Sequence, residues 1–340
     1  MISREDAPDQ ITNVTRPVQP VTEAPRRDQL VGRACYVCGT RNNPLIAEEP
    51  IEHRFGRPLL PEGTYRFVRC RKCSTLYVDS DVTDAYLVDL YRHESIDTAQ
   101  GGVTAEEAHA RIAQLRMPEF QRHWDLLRSV RPPRTGDRLL DFGCQMGDFA
   151  ALAIPSGVTP CGIELSEVYA AACRSRWGDG SVVHCGPVES APFAHQSLQY
   201  ITAFETLEHI CDPVGTLRQM GAWLAPGGVL ALSVPSSDYF HFKYWLFTQS
   251  PVADPLRDRF KRRSVFYEHQ VLPHTHIYNF SPMSVRMLVE KAGLRLRYLR
   301  LTGWHGPTGP VLDVLGRSLS ALSRGRVAFA PSFFAVAERA

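Results

Sequence analysis

Three groups of residues in this chain have the types and the spacing to do chemistry. The first is a thiol quartet, Cys35-x-x-Cys38 and Cys70-x-x-Cys73. A CxxC run turns tightly with both sulfurs inward, and two such turns supply the four soft ligands of a tetrahedral zinc site. A redox dithiol would explain one pair but not two. The second group is "LLDFGCQMGDFA" (139–150), an apolar run broken by Asp141 that leads into Gly143 and Gly147. A glycine-rich turn between strand and helix is a common cofactor cradle, but a dinucleotide site reads G-x-G-x-x-G and this spacing does not. The third is "FETLEHI" (204–210), where Glu205, Glu208 and His209 stand at i, i+3 and i+4. On a helix those three side chains would share one face.

The elements that must position these groups follow from composition and periodicity. Of 340 residues, 44% are hydrophobic and 22% charged, ordinary values for a globular chain. Lys+Arg 38 against Asp+Glu 36 leaves +2, so no global basic field points to nucleic acid or an anionic membrane. No apolar run approaches the ~20 residues of a membrane span. The Pro-rich, polar start lacks the apolar core of a signal peptide. Residues 1–32 read as a disordered leader, and a cytoplasmic location is expected, where cysteines stay reduced. Cys144, Cys161, Cys173, Cys185 and Cys211 then read as buried structural thiols.

Residues 33–80 are expected to form the zinc-binding module, and 81–136 a helical cover or linker carrying "TDAYLVDLYRHE", "AEEAHARIAQLRM" and "PEFQRHWDLLRSV". Tyr86, Tyr91 and Trp124 are candidates to line that cover, or simply to pack. From 137 to 340, strands ("DRLLDFG", "VTPCGIEL", "SVVHC", "LQYITAF", "GGVLALSVP") alternate with helices. That alternation implies a parallel sheet with helices on both faces and a ligand site beyond the C-terminal strand ends. The long connection 235–280 is rich in aromatics and holds His241, His269, His274 and His276. Long connections of this kind tend to carry function, so it is the expected acceptor-site insertion. The run "RDRFKRRS" (257–264) is either a solvated face or a contact to a phosphorylated acceptor.

Taken together these motifs resemble the class I S-adenosylmethionine-dependent methyltransferases. Asp141, Gly143 and Gly147 match the family's Asp/Glu-x-Gly-x-Gly-x-Gly, with Gln145 in place of the middle glycine. Glu164 in "CGIEL" stands where the family places the acid that binds the ribose hydroxyls. "HCGPVESAPF" resembles the adenine-contacting turn, with Pro187 at the place of its frequent Asp. Residues 201–237 resemble the region after the fourth strand in a subgroup that includes ubiquinone-pathway O-methyltransferases and many sugar and natural-product methyltransferases.

The resemblance implies an α/β, Rossmann-like methyltransferase fold, a mostly parallel seven-stranded sheet with its last strand antiparallel. It implies S-adenosylmethionine as cofactor, held by Asp141, Gly143, Cys144, Gly147, Phe149, Glu164, Leu165, Val188, Glu189 and Phe204, beside structural Zn²⁺ at the four cysteines. Two catalytic readings stay open. In one, His209 is the base, Glu208 orients it, and His276 is a second catalytic residue. In the other, Glu205, Glu208 and His209 bind Mg²⁺, an arrangement similar to ubiquinone-type and small-RNA 2′-O-methyltransferases. The expected acceptor is an O or C atom of a sugar, nucleotide sugar or natural-product intermediate. The chain would act without a membrane, as a monomer or homodimer. An RNA-modifying enzyme and a non-catalytic partner protein are the alternatives.

Overall fold

The computed structural model describes residues 30–31, 33–50, 64–79, 82–92, 105–246, 276–302, 309–324, 327 and 329–340. The strands are β1 (Leu30–Val31), β2 (Asn43–Pro50), β3 (Thr64–Arg69), β4 (Leu76–Val78), β5 (Arg138–Phe142), β6 (Thr159–Glu164), β7 (Val182–Cys185), β8 (Leu198–Phe204), β9 (Leu224–Pro235), β10 (Tyr278–Asn279), β11 (Leu294–Thr302) and β12 (Ser332–Arg339). The helices are α1 (Asp84–Arg92), α2 (Ala105–Val130), α3 (Asp148–Ala151), α4 (Glu167–Trp177), α5 (Pro213–Trp223), α6 (Ser237–Tyr244), α7 (Pro282–Lys291) and α8 (Gly309–Leu322). Among the described residues no helix is long and apolar enough to cross a membrane.

Apolar runs such as β5 and β9 are buried on both faces, as central parallel strands must be. They form a seven-stranded sheet in the order β11-β12-β9-β8-β5-β6-β7. The pairs β5·β6, β5·β8, β6·β7 and β8·β9 are parallel, and β12 runs antiparallel to both β9 and β11. This is the Rossmann-like methyltransferase fold. β5 has β6 on one side and β8 on the other, so the strand order reverses there. A reversal opens a crevice at the C-terminal strand ends, where helices depart to opposite faces.

The two helical segments expected between 105 and 130 are one helix that runs through Pro118. Proline removes one backbone donor, while Phe120, Trp124 and Leu127, spaced along one face, are buried beneath the helix. That burial outweighs the single missing bond.

A second, smaller sheet runs β1-β2-β3-β4-β10, antiparallel at every pair. It crosses the boundaries expected from sequence. β1 comes from the stretch read as leader, and β10 from the end of the 235–280 connection. Backbone donors of a short edge pair with whatever strand lies beside them, irrespective of sequence distance.

The two CxxC turns in this sheet are near copies of one another. Cys35 N–H donates to the Thr40 carbonyl at 2.8 Å and Gly39 N–H to Cys35 at 2.7 Å; Cys70 N–H donates to Thr75 at 2.9 Å and Ser74 N–H to Cys70 at 3.0 Å. Gly39 (φ 75°) and Ser74 (φ 58°) take the same left-handed conformation after the second cysteine of each turn. Asn43 ties the turns together. Its amide donates to the Thr40 carbonyl, and its Oδ1 accepts from Arg71 N–H.

The small sheet is docked on the large one through α7. Ser281 caps that helix in a reciprocal bond with Ser284, and its Oγ also donates to the Cys73 carbonyl at 2.5 Å. Lys291 Nζ reaches the Val37 carbonyl, and Arg69 pairs with Asp238 at 2.7 Å. Ser281→Ala removes a helix cap and the bond to the second cysteine turn together. An unfolding free energy lower by about 1–2 kcal/mol is expected in denaturant titration; no change would mean that Ser281 contributes neither bond to stability.

Candidate functional site

The crevice at the β5 and β8 ends is built by the turn after β5. Gly143 (φ 71°), Gln145 (φ 46°) and Gly147 (φ 76°) all lie in the left-handed region. Gln145 therefore keeps the backbone shape that a glycine would take there, at a cost of roughly 1–2 kcal/mol. At the outer two positions glycine is required on packing grounds as well. A Cβ on Gly143 would sit 2.6 Å from the Thr206 side chain, and one on Gly147 2.7 Å from the Trp177 indole. Trp177 Nε1 also donates to the Gly147 carbonyl at 2.9 Å, so α4 clamps the turn from behind.

Asp141, Gly143, Cys144, Gln145, Asp148, Phe149 and Phe204, with Ala113, Arg116 and Phe120 from α2, line a small open cleft. Five of the ten residues expected to hold the cofactor line it: Asp141, Gly143, Cys144, Phe149 and Phe204. Phe149 meets Phe204 edge-on at 4.6 Å, giving the cleft an apolar wall. Gly147 faces away, against Trp177. Val188 and Glu189 stand in a short 3-10 turn after β7, outside the cleft lining, where Gln219 Nε2 holds the Val188 carbonyl at 2.9 Å. Arg116 and Phe120 had no sequence signal beyond helical periodicity; only the docking of α2 brings them here.

Glu164, at the end of β6, is buried and fastened by three backbone donors. Gln145 N–H reaches Oε2 at 2.8 Å, while Leu165 and Ser166 N–H reach Oε1 at 2.7 and 3.0 Å. Burial raises its pKa, and these three donors oppose the rise. The carboxylate thus ties the glycine turn to the neighbouring strand and is held at one place on the sheet edge. Asp141 is also buried, with Thr202 Oγ1 donating to it at 2.8 Å. Burial pushes its pKa up to about 7.

The acid and histidine cluster lies after β8, and it is not the helical face that the spacing suggested. Glu205 sits at φ 49°, and only Leu207–His209 turn, as a single 3-10 turn. The Glu205 carboxylate accepts from Ser233 Oγ at 2.7 Å. Glu208 is completely buried, and neither of its carboxylate oxygens has a hydrogen-bond partner among the described residues. Burial, and then the negative charge of Glu205, raise its pKa well above the ordinary carboxylate range.

His209 Nε2 and His276 Nε2 each lie 4.0 Å from Glu208 Oε1, too far for direct hydrogen bonds. Both imidazoles are anchored through the other nitrogen, His209 Nδ1 to the Tyr91 hydroxyl at 2.7 Å and His276 Nδ1 to Asn279 Oδ1 at 3.3 Å. With Asn279 Oδ1 as acceptor, His276 carries its proton on Nδ1 and turns an Nε2 lone pair toward Glu208. Burial lowers the His276 pKa, favouring that neutral form. Three ligand atoms therefore lie within 4.8 Å of one another, a donor set suited to a divalent cation. Tyr91, read from sequence as a cover residue, anchors His209 instead, and Asn279 carried no sequence signal at all. His269, His274 and the run 257–264 lie outside the described residues.

The four cysteine sulfurs also lie within 4.8 Å of one another. Cys35 to Cys73 is 3.6 Å and Cys38 to Cys70 3.3 Å, far beyond a disulfide bond of about 2.05 Å. Four ligands about 2.3 Å from a tetrahedral zinc ion stand about 3.8 Å apart, so the quartet fits that ion's ligand count, softness and size. Sharing a proton with Cys70 pushes the Cys35 thiol up, and the same contact holds Cys70 down.

Comparison with known proteins gives a match of residues 108–299 to the family model described as a methyltransferase domain. The chain is 33% identical over 135 residues to the 27-O-demethylrifamycin SV methyltransferase of Amycolatopsis mediterranei, covering 38% of this chain and 46% of that enzyme. It is 26% identical over 176 residues to the ubiquinone biosynthesis O-methyltransferase of Coxiella burnetii, covering 50% of this chain and 68% of that enzyme. The chain thus spans less than half the length of the first of these relatives. A solved S-adenosylmethionine-dependent methyltransferase of Mesorhizobium loti aligns at 17% identity and a TM-score of 0.41, covering 64% of this chain and 97% of that one.

The buried Asp141 sets a pH dependence. Its pKa in the fold, about 7, exceeds its ordinary 3.8, so the folded state binds the proton more tightly than the unfolded chain. The stability this supplies is complete below about pH 4 and is lost as pH rises toward 7. Asp141→Asn cannot ionise and escapes the loss. Relative to the parent, the unliganded variant is expected to gain more stability at pH 8 than at pH 4, on the order of a few kcal/mol. Equal differences at both pH values would show that Asp141 ionises freely in the fold.

Proposed function

Because the chain belongs to the methyltransferase domain family, we propose that it transfers the methyl group of S-adenosylmethionine to a hydroxyl oxygen of a small-molecule acceptor, with Glu208, His209 and His276 holding a divalent cation beside that hydroxyl. The observation that carries this reading is the Glu208 carboxylate, buried without a donor and faced by two imidazole Nε2 atoms. Left alone, such a carboxylate is one of the costliest groups a protein can bury. A cation relieves the cost.

When bound, S-adenosylmethionine supplies the methyl group on a positively charged sulfur. The chain's part is to hold it in line. The Gly143–Gly147 turn brings backbone close to the amino-acid tail, and Asp141 offers a carboxylate to its ammonium group. Glu164, already immobilised by three N–H donors, turns its remaining lone pairs to the ribose hydroxyls. Val188 and Glu189, in the turn after β7, would contact the adenine ring, and Phe149 and Phe204 would help to exclude water. When bound, Mg²⁺ or a similar hard ion lowers the pKa of a coordinated hydroxyl and orients it. Glu208 supplies the anionic ligand for it, Glu205 adds negative charge nearby, and Tyr91 and Asn279 hold the two imidazole rings in place. The similarity to two O-methyltransferases of small molecules supports oxygen as the methylated atom and a natural-product or related acceptor. The cysteine quartet is proposed to hold structural zinc.

Three measurements test these assignments. Glu164→Gln is expected to weaken S-adenosylmethionine binding about tenfold or more in calorimetric titration, the size of a lost bond to a charged acceptor; unchanged affinity would remove Glu164 from the ribose site. Turnover on an acceptor hydroxyl should fall on treatment with EDTA and return with Mg²⁺, and Glu208→Gln should abolish the recovery. Activity indifferent to chelation, yet lost in His209→Ala, would instead favour the metal-free reading with His209 as base. Metal analysis should find about one zinc per chain, and Cys70→Ser should lose it.

A further inference from the structure

Among the described residues, the cleft is lined by residues between Ala113 and Phe204 and by none of the cysteine module. Its backbone nevertheless leads straight to the acid and histidine cluster. β4 begins three residues after Cys73 and pairs with β10, Tyr278 opposite Tyr77 and Asn279 opposite Leu76. One residue beyond that pairing, Ile277 is bonded on both sides. Its carbonyl accepts from Val78 N–H at 2.9 Å, and its N–H donates to the Glu208 carbonyl at 2.9 Å. Ile277 is itself flanked by His276, and Asn279, in β10, holds the His276 ring.

Resting on the reading of Glu208, His209 and His276 as the reacting centre, we propose that the cysteine module is its positioning element, acting through Ile277, which bonds β4 to the Glu208 backbone and carries His276 beside it.

Two further sets of contacts make this a rigid linkage. Tyr36, inside the first CxxC turn, packs edge-on against Tyr278 at 5.0 Å and Tyr77 at 5.9 Å. Ser281 Oγ holds the Cys73 carbonyl, and Tyr278 OH donates to the Cys211 carbonyl at 2.8 Å, just past His209. Among the described residues, backbone bonds from the side of the large sheet reach this segment at its two ends, Ile277 N–H at the Glu208 carbonyl and Phe280 at the Pro235 carbonyl and the Ser237 N–H, with the Tyr278 hydroxyl bond to Cys211 between them. A two-residue strand has too few bonds to fix itself. Residues 276–279 therefore depend on β4, and β4 depends on the turn that Cys70 and Cys73 close. Reacting groups lose effectiveness with displacements of about 1 Å, so loss of this template would disarm the centre while leaving cofactor binding intact.

The test is amide hydrogen exchange on the full chain, before and after removal of the cysteine-bound metal, by chelation and in Cys38→Ser. Exchange in segments 207–210 and 276–280 is expected to rise about tenfold or more, with segments 139–150 and 161–166 unchanged. S-adenosylmethionine affinity should stay within about threefold. Mn²⁺ affinity, read by its electron paramagnetic resonance signal, should fall about tenfold. Val78→Pro, which deletes the donor to Ile277 and keeps all four cysteines, should reproduce the local pattern with zinc retained. Protected amides at 207–210 and 276–280 after metal loss would overturn the proposal. So would a rise spread equally over the large sheet, which would mark the module as a general stabiliser. The exchange result needs neither turnover nor a cation at Glu208. A parent protein that fails to bind Mn²⁺ would therefore count against the proposed catalytic centre, and the linkage would still be judged.

Discussion

A carboxylate with no donor, sealed from water, is the constraint around which this structure is arranged. Glu208 has no solvent exposure and no hydrogen-bond partner among the described residues, so it either keeps its own proton or is met by a positive partner. Its neighbours do not remove the difficulty; they sharpen it. Glu205 brings a second negative charge close, and His276 presents a lone pair. The surroundings are built to keep both imidazoles in place all the same, with Tyr91 reaching in from α1 and Asn279 from β10. On the proposed reading, a divalent cation is the partner that reconciles these features.

The two sheets divide the work. The large sheet reverses its strand order at β5 and β8, and the glycine turn fills the opening, with Glu164 stitched to it by Gln145 N–H. That half is rigid because parallel strands buried on both faces leave little freedom at their ends. The small sheet closes the other half from outside, through the Ile277 carbonyl and N–H. α1 and α2 come over the top, one delivering Tyr91 and the other Arg116 and Phe120. On the proposed reading, the cofactor side and the acceptor side rest on different frameworks that meet at the turn after β8.

Much of this was legible in the residues. The strand and helix alternation from 137 onward gave the sheet, and the Gly143–Gly147 spacing marked the left-handed turn after β5 to which Glu164 is bonded. Two CxxC pairs sufficed to foresee a four-thiol cluster. Other features were out of reach. The i, i+3, i+4 spacing of Glu205, Glu208 and His209 suggested a helical face, but Glu205 takes a left-handed conformation and the convergence comes from a 3-10 turn. The two helical stretches on either side of Pro118 are one helix, held by the burial of Phe120, Trp124 and Leu127.

The sequence by itself determined the class of fold, the glycine turn and the thiol quartet, because each depends on residues close together or on regular periodicity. His276 was named from sequence beside Glu208 and His209, but only the tertiary structure decided that the three converge and what holds each ring. His276 and Asn279 come from the far end of a long connection, and Tyr91 from a helix in front of the sheet. Nothing in local propensity records such meetings. They are made by strand pairing and packing between segments distant in the chain, and the same pairing turns a thiol cluster far from the cleft into a neighbour of the Glu208 backbone.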